Sequence, residues 1–416
     1  MGTRSSPNRS VRRQAHRPVR AAGVVLAALL AATVGLPGAG AAPSSTPDGG
    51  AAGVGGLELE VTTVLDGLDR PWDIAFTPDE TMLVTERDLE RVVAQLPSGE
   101  TRVLADSPRG IWHQFETGMM GIAVSPAFAT NREFYVCHGW QTDRAKDVRV
   151  TAWAVDEDYT EAMITRVVVK GITIVGGKHA GCRLRFAPDG ALYISTGDAR
   201  EGPLPQDKTS LNGKILRVDA ATGEGWPGNP YEDAANTDKR RVYTYGHRNA
   251  QGLAWRDLGG GEGGEMWSVE QGTDRDDEVN QLQPGGNYGW NPVPDYNPDA
   301  PMTDHSLPGR QIDARWSSGF PTIATSGADW ITDERWGPWQ GRLAVGTTYA
   351  MEIKIMKFRP GGRLVSVRTP PELDGPYGDL RVPVQGPDGA LYLATDNGEE
   401  EVPGIDRILR VVPAGS

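Results

Sequence analysis

The sequence predicts an all-β chain folded as a six-bladed β-propeller, and three observations carry that prediction. Composition is the first: 53 glycines and 31 prolines, with 38% hydrophobic residues, suit a turn-rich sheet protein better than a helical one. A recurring motif is the second, FAPDGALYISTGD from Phe186 to Asp198 and QGPDGALYLATDN from Gln385 to Asn397. Third, no amphipathic helical pattern of any length competes with these strand-like runs.

The repeat sets the blade number. FTPDETMLVTERD (Phe76 to Asp88) is the same unit with Glu80 in the glycine position. Looser copies are SPAFATNREFYVCHGW near Pro126, GGGEGGEMWSVEQG near Met266 and GPWQGRLAVGTTY near Leu343. Each reads as a tight turn leading into a half-buried strand of alternating polarity. A β unit of this size cannot bury its apolar face alone, whereas blades packed radially can. Six units leave about 60 residues each, enough for four strands and long loops. The longest inter-strand segments, Ala199 to Tyr231 and Asn291 to Ser318, are expected as loops over one face of the disc.

The N-terminus reads as an export signal peptide over residues 1–41. Six arginines (Arg4, Arg9, Arg12, Arg13, Arg17, Arg20) precede an apolar run from Ala21 to Leu36 and the small residues Ala39, Gly40 and Ala41. The apolar run is short for a bilayer anchor, and Arg12-Arg13 raises the twin-arginine route. Residues 42–56 form a Gly, Ala, Ser and Pro tether, and 57–416 form the propeller domain. Removing the leader moves the formal charge from -13 to -19, because it holds six arginines and no acid. So acidic a chain is not expected to bind nucleic acid; it suits a neutral or cationic substrate outside the cell, with no stable membrane span after processing.

In an oxidising compartment Cys137 (YVCHGW) and Cys182 (GCRLRF) could bridge neighbouring strands; two buried free thiols are the alternative. With no CxxC spacing, zinc is not expected.

Three stretches carry candidate chemistry. His179, in GGKHAGCRLRF, stands among small residues that leave an imidazole uncovered as a general base. Arg248 and Asn249, in YGHRNAQG, offer a planar cationic fork and an amide suited to a polyanionic small molecule, or else a salt bridge at a blade edge. Asp276, Asp277 and Glu278, followed by the Gly-rich turn Asn287-Tyr288-Gly289-Trp290, offer the oxygen ligands calcium prefers, or else a solvated acidic turn.

Together KHAGCRLRFAPDGALYISTGD, LNGKILRVD, YGHRNAQGLAW and DDEVNQLQPGGNYGW resemble, in order, the soluble glucose/sorbosone dehydrogenases, including bacterial aldose sugar dehydrogenases that use pyrroloquinoline quinone (PQQ). The resemblance implies an exported enzyme that oxidises an aldose or related sugar aldehyde to its lactone or acid. It further implies PQQ and calcium as cofactors and an external electron acceptor as partner. By the same resemblance His179 is the catalytic base, and Arg248, Asn249, Glu116 and Arg381 face the quinone. Gly272 and Thr273 present carbonyls to the calcium that polarises it, while Glu278 and the Tyr288 carbonyl match a structural calcium site. Four positions depart from the family pattern: Glu116 stands for a glutamine, Tyr349 for a lysine, Asp379 for an arginine, and Lys178 for an aspartate. Each lost charge-assisted hydrogen bond to a tricarboxylate forfeits about 1.5–3 kcal/mol. These departures keep a second reading open, a secreted calcium-binding propeller that binds carbohydrate or protein without catalysis. A calcium-dependent lactonase fits less well, because its acids would surround the central channel rather than cluster in one turn.

Overall fold

Each recurring turn joins the innermost strand of a sheet to the next strand outward, and this register organises the molecule. The computed structural model describes residues 57–259, 263–398 and 404–416. The expected signal peptide, 1–41, and tether, 42–56, lie outside the described residues. The described strands form six four-stranded antiparallel sheets. The first blade runs Pro71–Phe76, Met82–Glu86, Arg91–Gln95 and Thr101–Asp106; the second Met119–Val124, Glu133–Gln141, Lys146–Val155 and Ala162–Ile172. The third holds Gly181–Phe186, Leu192–Thr196, Lys214–Val218 and Val242–Tyr245, and the fourth Ala250–Asp257, Gly264–Glu270, Glu278–Gln281 and Trp316–Ser317. The fifth comprises Thr325–Trp330, Leu343–Thr347, Ile353–Phe358 and Leu364–Arg368. In the sixth, Leu380–Gln385, Leu391–Thr395 and Asp406–Pro413 are completed by the N-terminal strand Leu59–Leu68, with Leu59 opposite Pro413. Strands from both ends of the chain thus close the ring within one blade. Among the described residues two short α-helices, Phe128–Asn131 and Thr237–Arg241, and two 3-10 turns, Glu334–Trp339 and Pro371–Leu373, sit in connections, and no described helix is long and apolar enough to cross a membrane.

Two sequence expectations need correction. The strands after the recurring turns are not half-buried: Met82–Glu86, Leu192–Thr196 and Leu343–Thr347 are buried at every position. Stacked sheets leave the middle of a blade no solvent face, so both sides of these strands meet a neighbour. Six apolar clusters fill the interfaces between adjacent blades, as where Tyr135 and Val150 of the second blade meet Leu184 and Ile194 of the third. Nor is Ala199 to Tyr231 one loop, because the strand Lys214–Val218 runs through it. The buried Lys214 Nζ donates to the carbonyls of Leu204 at 2.8 Å and Pro205 at 3.0 Å, pinning the first half of that segment to the sheet.

Antiparallel order places all blade-to-blade connections, and all second-to-third strand connections, on one face of the disc, called here the upper face. The axis below it is filled by charge: Arg183 and Asp73, both fully buried, pair at 2.5 Å, and the guanidinium lies 4.0 Å from the Trp72 ring. The two cysteines are joined, which excludes free thiols. Cys137 is in the second blade and Cys182 in the third, with Cα atoms 6.2 Å apart, so the bridge stitches neighbouring blades. In the chain-entropy model a loop of this length contributes about 4 kcal/mol. Cys137→Ser/Cys182→Ser should therefore lower the denaturant midpoint accordingly while retaining the native circular dichroism spectrum; an unchanged midpoint would contradict a stabilising bridge.

Candidate active site

His179 lies in the connection between the second and third blades at φ 51°, a left-handed conformation that a non-glycine residue keeps only when its surroundings impose it. Here they do. The His179 carbonyl lies so close to Gly197 that a Cβ there would collide with it. The imidazole Nδ1 is 2.7 Å from Oδ1 of the fully buried Asp198. That carboxylate also accepts from the Arg200 backbone N–H and from Trp290 Nε1, each at 2.7 Å. The Tyr296 hydroxyl is 3.3 Å from Nδ1. A carboxylate facing Nδ1 fixes the proton on that nitrogen and leaves the Nε2 lone pair for the cleft.

Trp290 and Tyr296 arrive by an unexpected route. After Glu278–Gln281 the chain leaves the fourth blade and climbs the outer edge of the third. There the Tyr245 N–H donates to Gly286 O at 3.0 Å, and the Tyr288 N–H to Tyr245 O at 2.9 Å. This parallel edge, bridged at Tyr245 and Asn287, carries the segment to the upper face.

Arg248 enters from the connection between the third and fourth blades. Its Nη1 donates to Gln271 O at 2.9 Å and its guanidinium faces the Trp290 ring at 5.7 Å. Its Nε is buried without a hydrogen-bond partner in the described protein, so part of the fork is uncommitted. The blade-edge salt bridge considered for it is not formed with any of the described residues. Asn249 is fully buried behind the cleft; its Nδ2 donates to Glu116 Oε2 at 2.9 Å and Gln271 Oε1 at 3.2 Å, and its Oδ1 accepts from the Gly181 N–H. Gln251 Nε2 donates to the same Glu116 oxygen at 3.2 Å. The acid standing for glutamine is thus held by two amides.

Arg381 is 8% exposed and paired with Asp396, with Nη1 also donating to Gln251 Oε1 at 3.2 Å and Ser326 Oγ at 3.3 Å. Asp396 reaches Arg70 at 3.6 Å, Arg70 reaches Asp88 at 3.1 Å, and Asp88 binds Arg87 at 2.6 Å. Gly272 is fastened through its N–H to Asp277 Oδ1 at 2.9 Å, and a Cβ there would strike the carbonyls of Arg275 and Asp276. Among the described residues the carbonyls of Gly272 and Thr273 accept no hydrogen bond.

His179, Glu116, Arg248, Gly272, Thr273 and Arg381 all line one cleft of about 280 Å³. A recess of about 520 Å³ beside it shares His179 and Arg248 and adds Tyr296 and Arg200. Another, of about 820 Å³, meets it at Glu116 and carries Arg70 and Arg87.

Glu278 and Tyr288 lie elsewhere. Glu278 stands directly opposite Glu270 across two antiparallel strands, and the two are 5% and 1% exposed. Like charges so placed repel. Burial, then Glu270, holds the Glu278 carboxyl well above the usual range. Asn280 Nδ2 donates to Glu270 at 2.8 Å and Glu278 at 3.3 Å, while its Oδ1 is buried and unpartnered. His247, fully buried, stacks on the Tyr288 ring and meets Glu270 Oε1 at 3.2 Å through Nδ1. No group of three or more His, Cys, Asp or Glu side chains converges as a metal cluster among the described residues. The acidic turn is not one cluster. Asp276 pairs with Arg275 at the surface, whereas buried Asp277 staples Gly272 to Thr322 and Ile323.

The departures from the family pattern also find places. Tyr349, 72% exposed, lines the cleft mouth. Lys178 lays its ammonium over the Phe115 ring at 4.8 Å. Asp379 is pushed up to about 6, first by burial and then by Asp396. The sequence did not single out Asp198, Tyr296, Arg70 or Arg87, and Trp290 was read there only as part of the Gly-rich turn offered for calcium. Of these only Asp198 had a signal, as the last residue of the repeat in STGD.

Residues 68–405 match the family model described as Glucose / Sorbosone dehydrogenase. The aldose sugar dehydrogenase YliI of Escherichia coli (strain K12) is 27% identical over 83% of this chain and 92% of its own. The PQQ-bound structure of the aldose sugar dehydrogenase of Streptomyces coelicolor superposes with a TM-score of 0.70 at 29% identity, covering 86% of this chain and 99% of that one. A Thermus thermophilus protein, provisionally described as an oxidoreductase (glucose dehydrogenase), gives 0.71 at 34% identity, covering 85% and 100%.

Proposed function

The chain belongs to the glucose/sorbosone dehydrogenase family, and from that premise we propose that it is an exported, PQQ- and calcium-dependent enzyme that oxidises an aldose or related sugar aldehyde to its lactone or acid. The observation that carries the reading is a single cleft lined by both His179, backed by Asp198, and Arg248, whose Nε is uncommitted while its Nη1 is held by Gln271 O.

The residues present fit a planar polycarboxylate. Among the described residues Arg248 offers a buried donor without a partner, and the Arg381–Asp396–Arg70–Asp88–Arg87 ladder sets three cations against two acids. The free carbonyls of Gly272 and Thr273 suit a hard cation beside it. Bound PQQ supplies the hydride acceptor, the step no side chain here can perform. His179 Nε2 takes the proton from the sugar hydroxyl, and Asp198 stabilises the imidazolium that results. Trp290 and Tyr296 hold the pair in place and narrow its exposure to water. A second cation would be held by Glu278, Glu270 and the Asn280 oxygen, with the Tyr288 carbonyl as the family resemblance implies, and would relieve two opposed buried carboxylates.

The direct test is titration of the purified apoprotein with PQQ and calcium, followed by quinone absorbance. Saturable binding at one PQQ per chain is expected; no binding would contradict the proposal. Asp379 adds a pH dependence. Its folded carboxyl holds the proton more tightly than in the unfolded chain, so its contribution to stability falls as pH rises from about 4 to about 6. Above that window its charge also opposes an anionic cofactor. Asp379→Asn should bind PQQ about fivefold more tightly than the parent at neutral pH, roughly 1 kcal/mol, and equally at pH about 5. The same ratio at both pH values would exclude Asp379 as the source.

A further inference from the structure

One fully buried cation of the third blade has no part in the sugar or cofactor scheme. Lys214 opens the strand Lys214–Val218 and is 0% exposed. Its ammonium donates to the carbonyls of Leu204, Pro205 and Asn212, at 2.8, 3.0 and 2.5 Å. All three protons are thereby used, and a full charge is buried against neutral acceptors. Burying a charge in this way costs stability that an apolar side chain of similar volume would not. What the ammonium holds lies toward the cleft.

Leu204 and Pro205 belong to the stretch that leaves Asp198 and packs against the segment carrying Trp290 and Tyr296. A Cβ on Gly202 would strike the Asp295 carbonyl, so the two run in close contact. Gln206, next to Pro205, donates through Nε2 to Trp290 O and Asn287 Oδ1, each at 3.0 Å. Trp290 Nε1 in turn donates to Asp198 Oδ2, and Asp198 Oδ1 faces His179 Nδ1, each at 2.7 Å. A second route starts from the same clamped residue: the Gly246 N–H donates to Pro205 O at 3.0 Å and the Trp290 N–H to Gly246 O at 2.9 Å. The ammonium is thus linked to the imidazole through Pro205, Gln206, Trp290 and Asp198, in that order.

We propose that Lys214 is a positioning residue whose charged form sets the Leu204–Gln206 stretch and, through Trp290 and Asp198, the orientation of His179; this rests on the sugar-oxidation reading above. A neutral amine has two protons for three carbonyls, so losing the charge frees one acceptor and slackens the stretch. Burial pushes the ammonium down to about 7, while Asp207 acts upward and Lys208 downward. The other polar groups around it are Thr196 and Tyr245 on the flanking strands and His247, which is engaged by Thr244 and Glu270. The ammonium therefore persists below about pH 7 and is lost as pH rises through that value. Two groups then act in opposite senses: His179 must be free of its proton to work as a base, and Lys214 must keep its own.

The test compares the full-length parent with Lys214→Met, Lys214→Arg and Gln206→Leu, the last breaking the series one link on while leaving the ammonium in place. Reconstituted with PQQ and calcium at pH about 6.5, Lys214→Met should lose about tenfold to a hundredfold in kcat, with KM and PQQ affinity within about twofold of the parent. The parent's kcat should fall toward that of Lys214→Met as pH rises from about 7 to about 9. Lys214→Arg, which keeps its charge, should recover part of the turnover and show no such fall. Gln206→Leu should be about tenfold slower than the parent at pH about 6.5. A second readout needs no turnover: in the apoprotein, the proton on His179 Nδ1, identified by its absence in His179→Ala, should give a protected NMR signal in the parent that is lost in Lys214→Met and Gln206→Leu. Parental kcat in either variant would overturn the proposal, as would a Lys214→Met loss in the same ratio at every pH, the mark of a merely structural defect. Should Lys214→Met fail to fold, Gln206→Leu and the parent's pH profile decide. A parent without aldose turnover whose His179 signal still depends on both residues would sink the oxidation reading and leave the clamp standing; a signal unchanged in both variants would sink the clamp.

Discussion

His179→Ala is expected to lower dye-linked aldose oxidation by about 10² to 10⁴, the usual cost of losing a positioned general base. The geometry makes the loss specific. Asp198 Oδ1 lies 2.7 Å from Nδ1, so the ring has one committed nitrogen and one free for the substrate hydroxyl. Removing the ring leaves the cleft and its cations in place, so PQQ binding should change little. Added imidazole should restore part of the turnover by entering the vacated space. Asp198→Asn should act in the same direction through the orientation of the ring, lowering turnover with little change in KM. Full turnover in His179→Ala would refute the assigned role.

Arg248→Met is expected to weaken PQQ binding by about tenfold to a hundredfold for each charge-assisted hydrogen bond lost, since each contributes about 1.5–3 kcal/mol. Arg248 is the cleft cation with donor capacity to spare, because its Nε has no partner while Arg381 is already paired with Asp396. Arg248→Lys should recover only part of the affinity, as an ammonium restores charge but not the planar fork. Absorbance titration separates the three proteins. An Arg248→Met variant that binds PQQ as tightly as the parent would mean that the cofactor is held elsewhere.

The fold was legible because its signal is repeated. Every copy of the turn, from Phe76 to Gly386, falls between the first and second strands of a blade, and six copies imply six sheets without any long-range pairing being known. Burial was misread for a physical reason: alternation within Leu192–Thr196 reflects two different neighbours, not core against water. The lining of the cleft was legible where one motif delivers one side chain to it, as at His179 and Arg248. Trp290 and Tyr296 were not, because they reach Asp198 and the imidazole, respectively, only when a segment of the fourth blade climbs the edge of the third. Arg70 and Arg87 were hidden likewise. Both lie in the opening blade, and only closure of the ring by Leu59–Leu68 sets them beside Asp396 near the end of the chain.

A ring that merely bound carbohydrate would keep the blades, the disulfide and the opposed Glu270–Glu278 pair. What it would not do is turn over. The most direct measurement is therefore an anaerobic single-turnover experiment on the chain reconstituted with PQQ and calcium, mixing it with an aldose and with the same aldose deuterated at C1. The account predicts that one equivalent of sugar discharges one equivalent of bound quinone absorbance and forms one of lactone. The deuterated sugar should react several-fold more slowly, and His179→Ala should show binding without discharge. Stoichiometric PQQ binding with no sugar-dependent change, across a panel of aldoses, would contradict it.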